Sequence, residues 1–218
     1  QFAADPSKLS VEEMVYGANK LVKDDATRQK WNEAIAKQYP SDYRALNNMA
    51  QQAISKGDMA AAQNYLKQAA NVNKNASEVN TNLALMALKS GDVAKAETYL
   101  SKGTGSDTFK EVMGNLNIAK GNYTQAASDL AGVNTNSAAL AQILAKDYTS
   151  AKTTLSKIKN ADATTSYLQA VLAARTGDAN ALSSSLKNAI QQDGTLAARA
   201  AKDLEFAKYA NVVKNLVK

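Results

Sequence analysis

Gly57-Asp58-Met59-Ala60-Ala61-Ala62-Gln63-Asn64-Tyr65-Leu66 returns as Gly91-Asp92-Val93-Ala94-Lys95-Ala96-Glu97-Thr98-Tyr99-Leu100, 34 residues further along the chain. Weaker copies begin at Gly121-Asn122-Tyr123, with Ala126 and Leu130, and at Lys146-Asp147-Tyr148, with Ala151 and Leu155. A last one begins at Gly177-Asp178, with Leu182 and Leu186. Self-similarity at this period marks stacked helix pairs, each too small to bury its apolar face without a neighbour. The expected fold is all-α: a right-handed α-solenoid of antiparallel helix pairs, closed by C-terminal capping helices.

Each copy opens with a turn. Glycine suits the left-handed residue just past a helix end, and the aspartate after it suits the N-cap of the next helix. Before the first turn, residues 1–9 read as an irregular lead-in with Pro6. Ser10 and Glu13 have the spacing of a capping box. Val11, Met14, Val15, Ala18, Leu21 and Val22 follow at helical spacing, so one helix is expected through Val22. Asp24 and Asp25 end it and cap a second helix carrying Trp31, Ala34 and Ile35. Ser41 or Asp42 caps a third, with Leu46, Met49, Ala50, Ala53 and Ile54.

The array is expected over 10–191, in units of about 10–40, 41–74, 75–106, 107–131, 136–157 and 163–191. Turn-to-turn intervals of 34, 30, 25 and 31 mean that the middle units are trimmed. The first helix of the fifth is cut to about ten residues, and short helices bury less area, so a bend is expected near 132–147. The period is lost after Asp193-Gly194, and 195–218 read as terminal cap helices, which a solenoid needs to cover its last apolar face.

Composition narrows the chemistry. The 218 residues include no cysteine and no histidine, which removes disulfides, Cys/His zinc sites and histidine acid–base catalysis. The net charge of +6 is dispersed, with no Lys/Arg block of the kind that marks a nucleic-acid or membrane surface. No apolar run approaches the roughly 20 residues of a membrane span. Gln1-Phe2-Ala3-Ala4 shows neither an initiator methionine nor a signal-peptide core, the pattern expected of a processed protein or an excised domain.

The adjacent pairs Glu12-Glu13 and Asp24-Asp25 diverge around a helix or cap it, and do not oppose one another as acid–base catalysis requires. Lys102-Gly103-Thr104-Gly105-Ser106 lacks the Gly-Lys-Ser/Thr ending and the preceding strand of a phosphate loop. No catalytic residue, cofactor or metal site is therefore assigned.

Tyr43 to Lys74 and Ser77 to Thr108 resemble tetratricopeptide repeats. In the first, Leu46, Ala50, Gly57, Ala62, Tyr65, Leu66 and Ala69 fall at that family's preferred large, small, turn and closing positions. In the second, Ala84, Gly91, Ala96, Tyr99 and Leu100 do so, while Gly103 takes the closing-alanine place. Gly114, Gly121, Tyr123, Ala126 and Leu130 match in the next. The family's tryptophan position holds Leu46, Asn80 and Lys110 instead, and its closing proline appears only at Pro40. Tyr65, Tyr99, Tyr123 and Trp31 are read as packing residues. Two further stretches, Asp162–Val171 and Ala201–Tyr209, resemble tetratricopeptide proteins of the cell envelope in Bacteroides-type bacteria, which implies an envelope or periplasmic setting.

The resemblance implies that the first helix of each pair lines a concave groove. It places Arg44, Asn47, Asn48, Gln51 and Ser55 there, then Glu78, Thr81, Asn82, Leu85 and Lys89, then Glu111, Asn115 and Ile118. Amides offer both donor and acceptor to an extended peptide, and the equivalent places of Asn48 and Asn82 point to a short asparagine ladder. The family's clamp for a C-terminal carboxylate is not expected, because its charged positions hold Asn47, Gln51, Thr81, Leu85 and Thr108. The implied function is a non-enzymatic scaffold for a peptide or protein partner. An RNA-binding α-solenoid and a purely structural spacer or oligomerisation domain stand as alternatives.

Overall fold

The computed structural model describes residues 8–216, and every described element is a helix or a turn. The lead-in before Lys8, with Pro6, and the last two residues of the cap lie outside them. Two compact units divide the chain, the first ending at Val112 and the second beginning at Met113.

The first unit starts with α1 (Val11–Tyr16), whose Ser10–Glu13 capping box is formed in both directions. The single helix expected through Val22 is not there. A π-helical turn over Gly17–Leu21 follows α1, closed by the Val22 amide donating to the Gly17 carbonyl at 3.0 Å. Arg28 of α2 (Asp25–Gln38) supplies the reason. Its guanidinium donates to the carbonyls of Val22 at 2.9 Å and Ala18 at 3.3 Å, groups that the changed winding leaves without helical partners. Asp24 caps α2 and Asp42 caps the next helix. Met14 and Ile35 are fully buried between these elements, with Trp31 half-buried at their edge.

Two closely packed hairpins follow, α3 (Tyr43–Ser55) with α4 (Met59–Val72), and α5 (Ser77–Lys89) with α6 (Val93–Leu100). The repeated turn has the same construction in both. Gly57 takes φ 78° and Gly91 φ 79°. The following aspartate reaches back with its amide, Asp58 to the Ala53 carbonyl and Asp92 to that of Ala87, each at 2.9 Å. The same aspartate then caps the next helix through its carboxylate, which accepts from Ala61 or Lys95. One residue thus closes one helix and opens the next, which is why the turn can be so short. α6 is short and stops at Leu100. Helix α7 (Asp107–Ala119) contains the division between the units.

The second unit continues with α8 (Tyr123–Asp129), α9 (Asn136–Leu144), α10 (Tyr148–Lys157), α11 (Ala163–Thr176) and α12 (Ala179–Gln192). Gly114 has no room for a side chain, since a Cβ there would lie 2.5 Å from the fully buried Leu130. Tyr123 departs from the packing role read from its position: it is 37% exposed at the start of the short α8, whereas Tyr65 and Tyr99 are half-buried. A short helix presents fewer rows of side chains, and so covers this ring less completely. Ile118, placed in the groove by resemblance, instead packs on Ala126, Leu130, Ala138 and Ala141.

The chain ends in α13 (Leu196–Ala200), a 3-10 turn over Leu204–Tyr209 and α14 (Ala210–Leu216). Ala200, Phe206 and Val213 from these pieces join Tyr167, Leu182 and Leu186 in one apolar cluster, so the short segments cover the exposed side of the last long pair. The Tyr167 hydroxyl donates to Asp203 at 2.6 Å, and burial together with that bond pushes its pKa up. Arg175 holds Glu205 with two bonds, at 2.7 and 2.5 Å, and also donates to the Ile143 carbonyl. The fold is the all-α, helix-pair architecture of α-solenoids.

Candidate functional site

In the first unit the π turn, α2, α3 and α5 line a groove of about 880 Å³, which Ser106 and Thr108 also border. Gln51, Gln52, Ser55 and Lys56 come from α3 and the residue after it, and Glu78, Thr81 and Asn82 from α5. The opposite wall carries Asp25, Arg28, Gln29 and Asn32 of α2, with Asn19 and Lys20 of the π turn. The lining is polar, mixed in charge and rich in amides.

Amides also build the groove's interior support. Asn82 donates to Asn47 at 2.8 Å, and Asn48 donates to Asn32 at 3.1 Å; all four side chains are buried. Asn19 extends the second pair with a bond to Asn48 at 3.4 Å. An asparagine ladder is present, but its rungs run from Asn47 to Asn82 and from Asn48 to Asn32. They do not join Asn48 to Asn82. The physical consequence is a change of role. These amides satisfy one another across helices, which removes the cost of burying them unpaired and fixes helix spacing at the groove. Gln52 has its Oε1 buried without a hydrogen-bond partner among the described residues.

The residues singled out by resemblance therefore scatter. Gln51 and Glu78 are exposed on the groove, and Asn82 reaches it from a buried position. Asn47 and Asn48 lie beneath. Arg44 is committed within the chain: it pairs with Asp42 at 2.7 and 2.9 Å, pairs with Glu12, and stands 5.3 Å from the Tyr43 ring centre. The paired guanidinium holds the Asp42 carboxyl below its usual range, and those bonds raise the Arg44 pKa in return. Glu111 is half-buried, and burial pushes its carboxyl pKa up. Asn115 belongs to the second unit and is half-buried there.

Lys89 is not on the groove. It lines a different cleft, with Met86 and Tyr99, where a long aliphatic stem can lie over apolar surface while its charge stays in water. Asn80, read as a substitute for the family's tryptophan, is buried and donates to the Lys74 and Ala76 carbonyls, so it staples the loop that enters α5. Thr81 donates to its own helix at Ser77. Sequence reading missed α2 as a wall of the groove. The available signal was the amide series Gln29, Asn32, Asn48 and Gln51, which needs a register between helices to be seen as one surface.

Among the described residues, no group of three or more acidic side chains is arranged to hold a metal, and no helix is long and apolar enough to cross a membrane.

Residues 53–112 match the tetratricopeptide repeat family, a stretch that takes in both strong copies of the turn. No curated protein matches the chain in sequence. Among solved structures, the chain is similar to a tetratricopeptide repeat protein from Parabacteroides merdae, at 13% identity and a TM-score of 0.55, with 99% of this chain and 86% of that one covered. It is also similar to PilW, described as a widely conserved type IV pilus biogenesis factor. There the identity is 16% and the TM-score 0.59, covering 95% of this chain and 99% of that one. At such identities the likeness is one of fold.

Proposed function

We propose that the chain is a non-enzymatic scaffold whose first unit binds an extended segment of a protein partner in the groove between α2, α3 and α5. The observation that carries this reading is the amide lining on a floor of paired asparagines. Side chains that offer both donor and acceptor suit a peptide backbone, and a floor already hydrogen-bonded need not reorganise on binding. Lys20, Lys56, Asp25 and Glu78 place both signs of charge at the edges, where they select register more than they add affinity. The match to tetratricopeptide repeats over 53–112 supports protein binding as the class of function.

We also propose residence in a bacterial cell envelope. The resemblance of Asp162–Val171 and Ala201–Tyr209 to envelope proteins favours this, as does the fold likeness to a Parabacteroides protein and to a pilus biogenesis factor.

The test is a peptide-array screen on the full chain, repeated with Gln51→Ala and Glu78→Gln. Bound peptides should lose roughly five- to tenfold in affinity with each exposed-groove variant, the scale of one or two lost polar contacts. Arrays that bind both variants as well as the parent would sink the groove reading. Tight capture of random RNA with a steep salt slope would replace it with a nucleic-acid function.

A further inference from the structure

The cleft that holds Lys89 lies between α4, α5 and α6 and has a volume of about 450 Å³. Its floor is apolar and half-buried: Met59 from α4, Leu83 and Met86 from α5, and Tyr99 from α6. Its rim carries Lys67, Lys89 and Lys95, one from each helix, and no acidic side chain lines it. The three lysines are exposed and have no ion-pair partner among the described residues. The volume is within the range of about 300–1,000 Å³ found for binding clefts.

Helix stability accounts for Lys89, in the last turn of α5, but not for all three lysines. Lys95 sits in the first turn of α6, where the helix dipole disfavours a cation, although the Asp92 carboxylate caps the same helix start. Two methionines in a floor give a surface that can adjust to different apolar side chains.

We propose that this cleft is a second docking site, for an acidic amphipathic segment of a protein partner that seats large apolar side chains on Met59, Leu83, Met86 and Tyr99 and presents carboxylates to Lys67, Lys89 and Lys95. Three cations on three different helices surround the apolar floor, so the complementary ligand carries negative charge on several sides of an apolar body. An amphipathic helix whose leucine face is flanked by glutamates does so, whereas an amphiphile with one carboxylate meets only one side. The site lies on other residues than the α2–α3–α5 groove and does not depend on what that groove binds.

The experiment uses fluorescence anisotropy with the full chain and a labelled twelve-residue peptide of three Glu-Leu-Leu-Glu repeats, which as a helix flanks a leucine face with glutamates. Controls are the same peptide with lysine for glutamate, and lauric acid as competitor. Binding should weaken about tenfold or more in the Lys67→Glu/Lys89→Glu/Lys95→Glu variant and should fall as salt rises. Met86→Asp should abolish it, with circular dichroism confirming that each variant is folded, and Gln51→Ala should leave it unchanged. Absence of binding at millimolar peptide, equal binding of the lysine peptide, or unchanged binding by the triple variant would each overturn the proposal. Full displacement by micromolar lauric acid would overturn it in favour of an amphiphile site.

Discussion

The two units fill their interiors differently. In the first, Asn32, Asn47, Asn48, Asn80, Thr81 and Asn82 are buried among the helices, and the apolar residues form separate small clusters around Met14 and Ile35 and around Leu66 and Val79. In the second, Gln142, Thr154, Thr165 and Ser166 are buried too, but a continuous apolar cluster runs from Ala139 of α9 through Tyr167, Leu182 and Leu186 to Val213 of α14. Aliphatic contacts are non-directional and hold many similar arrangements. Paired amides are satisfied in one geometry only, so they specify helix spacing at a cost in hydrophobic burial. The unit with the buried asparagine pairs is also the one with the amide-lined groove. That coincidence is what a binding surface needing fixed spacing requires, whereas the second unit's ending needs only to be covered.

Three substitutions would break or sharpen this contrast. Phe206→Ala should have the largest effect, because Phe206 is 1% exposed and meets Tyr167 edge-to-face at 5.5 Å between ring centres. Urea unfolding followed by circular dichroism should register a loss of about 3–5 kcal/mol. A loss below about 1 kcal/mol would mean that the terminal segments merely rest on the second unit.

Asn82→Ala comes next, at about 1–3 kcal/mol, since it leaves the buried Asn47 oxygen without its donor. Replacing both partners with leucine should cost less than the single change, and a double-mutant cycle measures that coupling. Additive costs would refute the idea that the pair acts as one unit.

The smallest effect concerns the repeated turn. Gly57, Gly91, Gly121 and Gly177 all have positive φ, and so does Lys146, at 66°. A lysine there bears the crowding that glycine avoids, so Lys146→Gly should stabilise the second unit by about 0.5–1 kcal/mol despite glycine's greater unfolded-state freedom. Gly91→Lys should destabilise the first unit by a similar amount. Thermal melts of both variants check the pair, and equal signs would refute the equivalence of the two turns.

The groove was only partly legible beforehand. Gln51 and Glu78, expected on a groove from repeat position, are exposed along this one, because position within a repeat sets which way a residue faces. Arg44 is held within the chain by Asp42, two residues before it, and by Glu12, which becomes a neighbour only when α1 and α3 pack. Asn47 and Asn82 carry the same side chain as Gln51 less one methylene, yet they are interior. Nothing in residue type separates a solvated amide from one whose partner stands 35 positions away.

From residue order alone came the turns, the caps and the pairing of helices. Each of these rests on hydrogen bonds reaching only a few residues, such as Asp58 back to Ala53 and forward to Ala61. Tertiary structure decided the π turn at Gly17, the burial of the asparagine pairs and the gathering of three lysines around Met86. Those features depend on the register between helices far apart in the chain, where packing of the whole face, not the local sequence, selects which side chains meet.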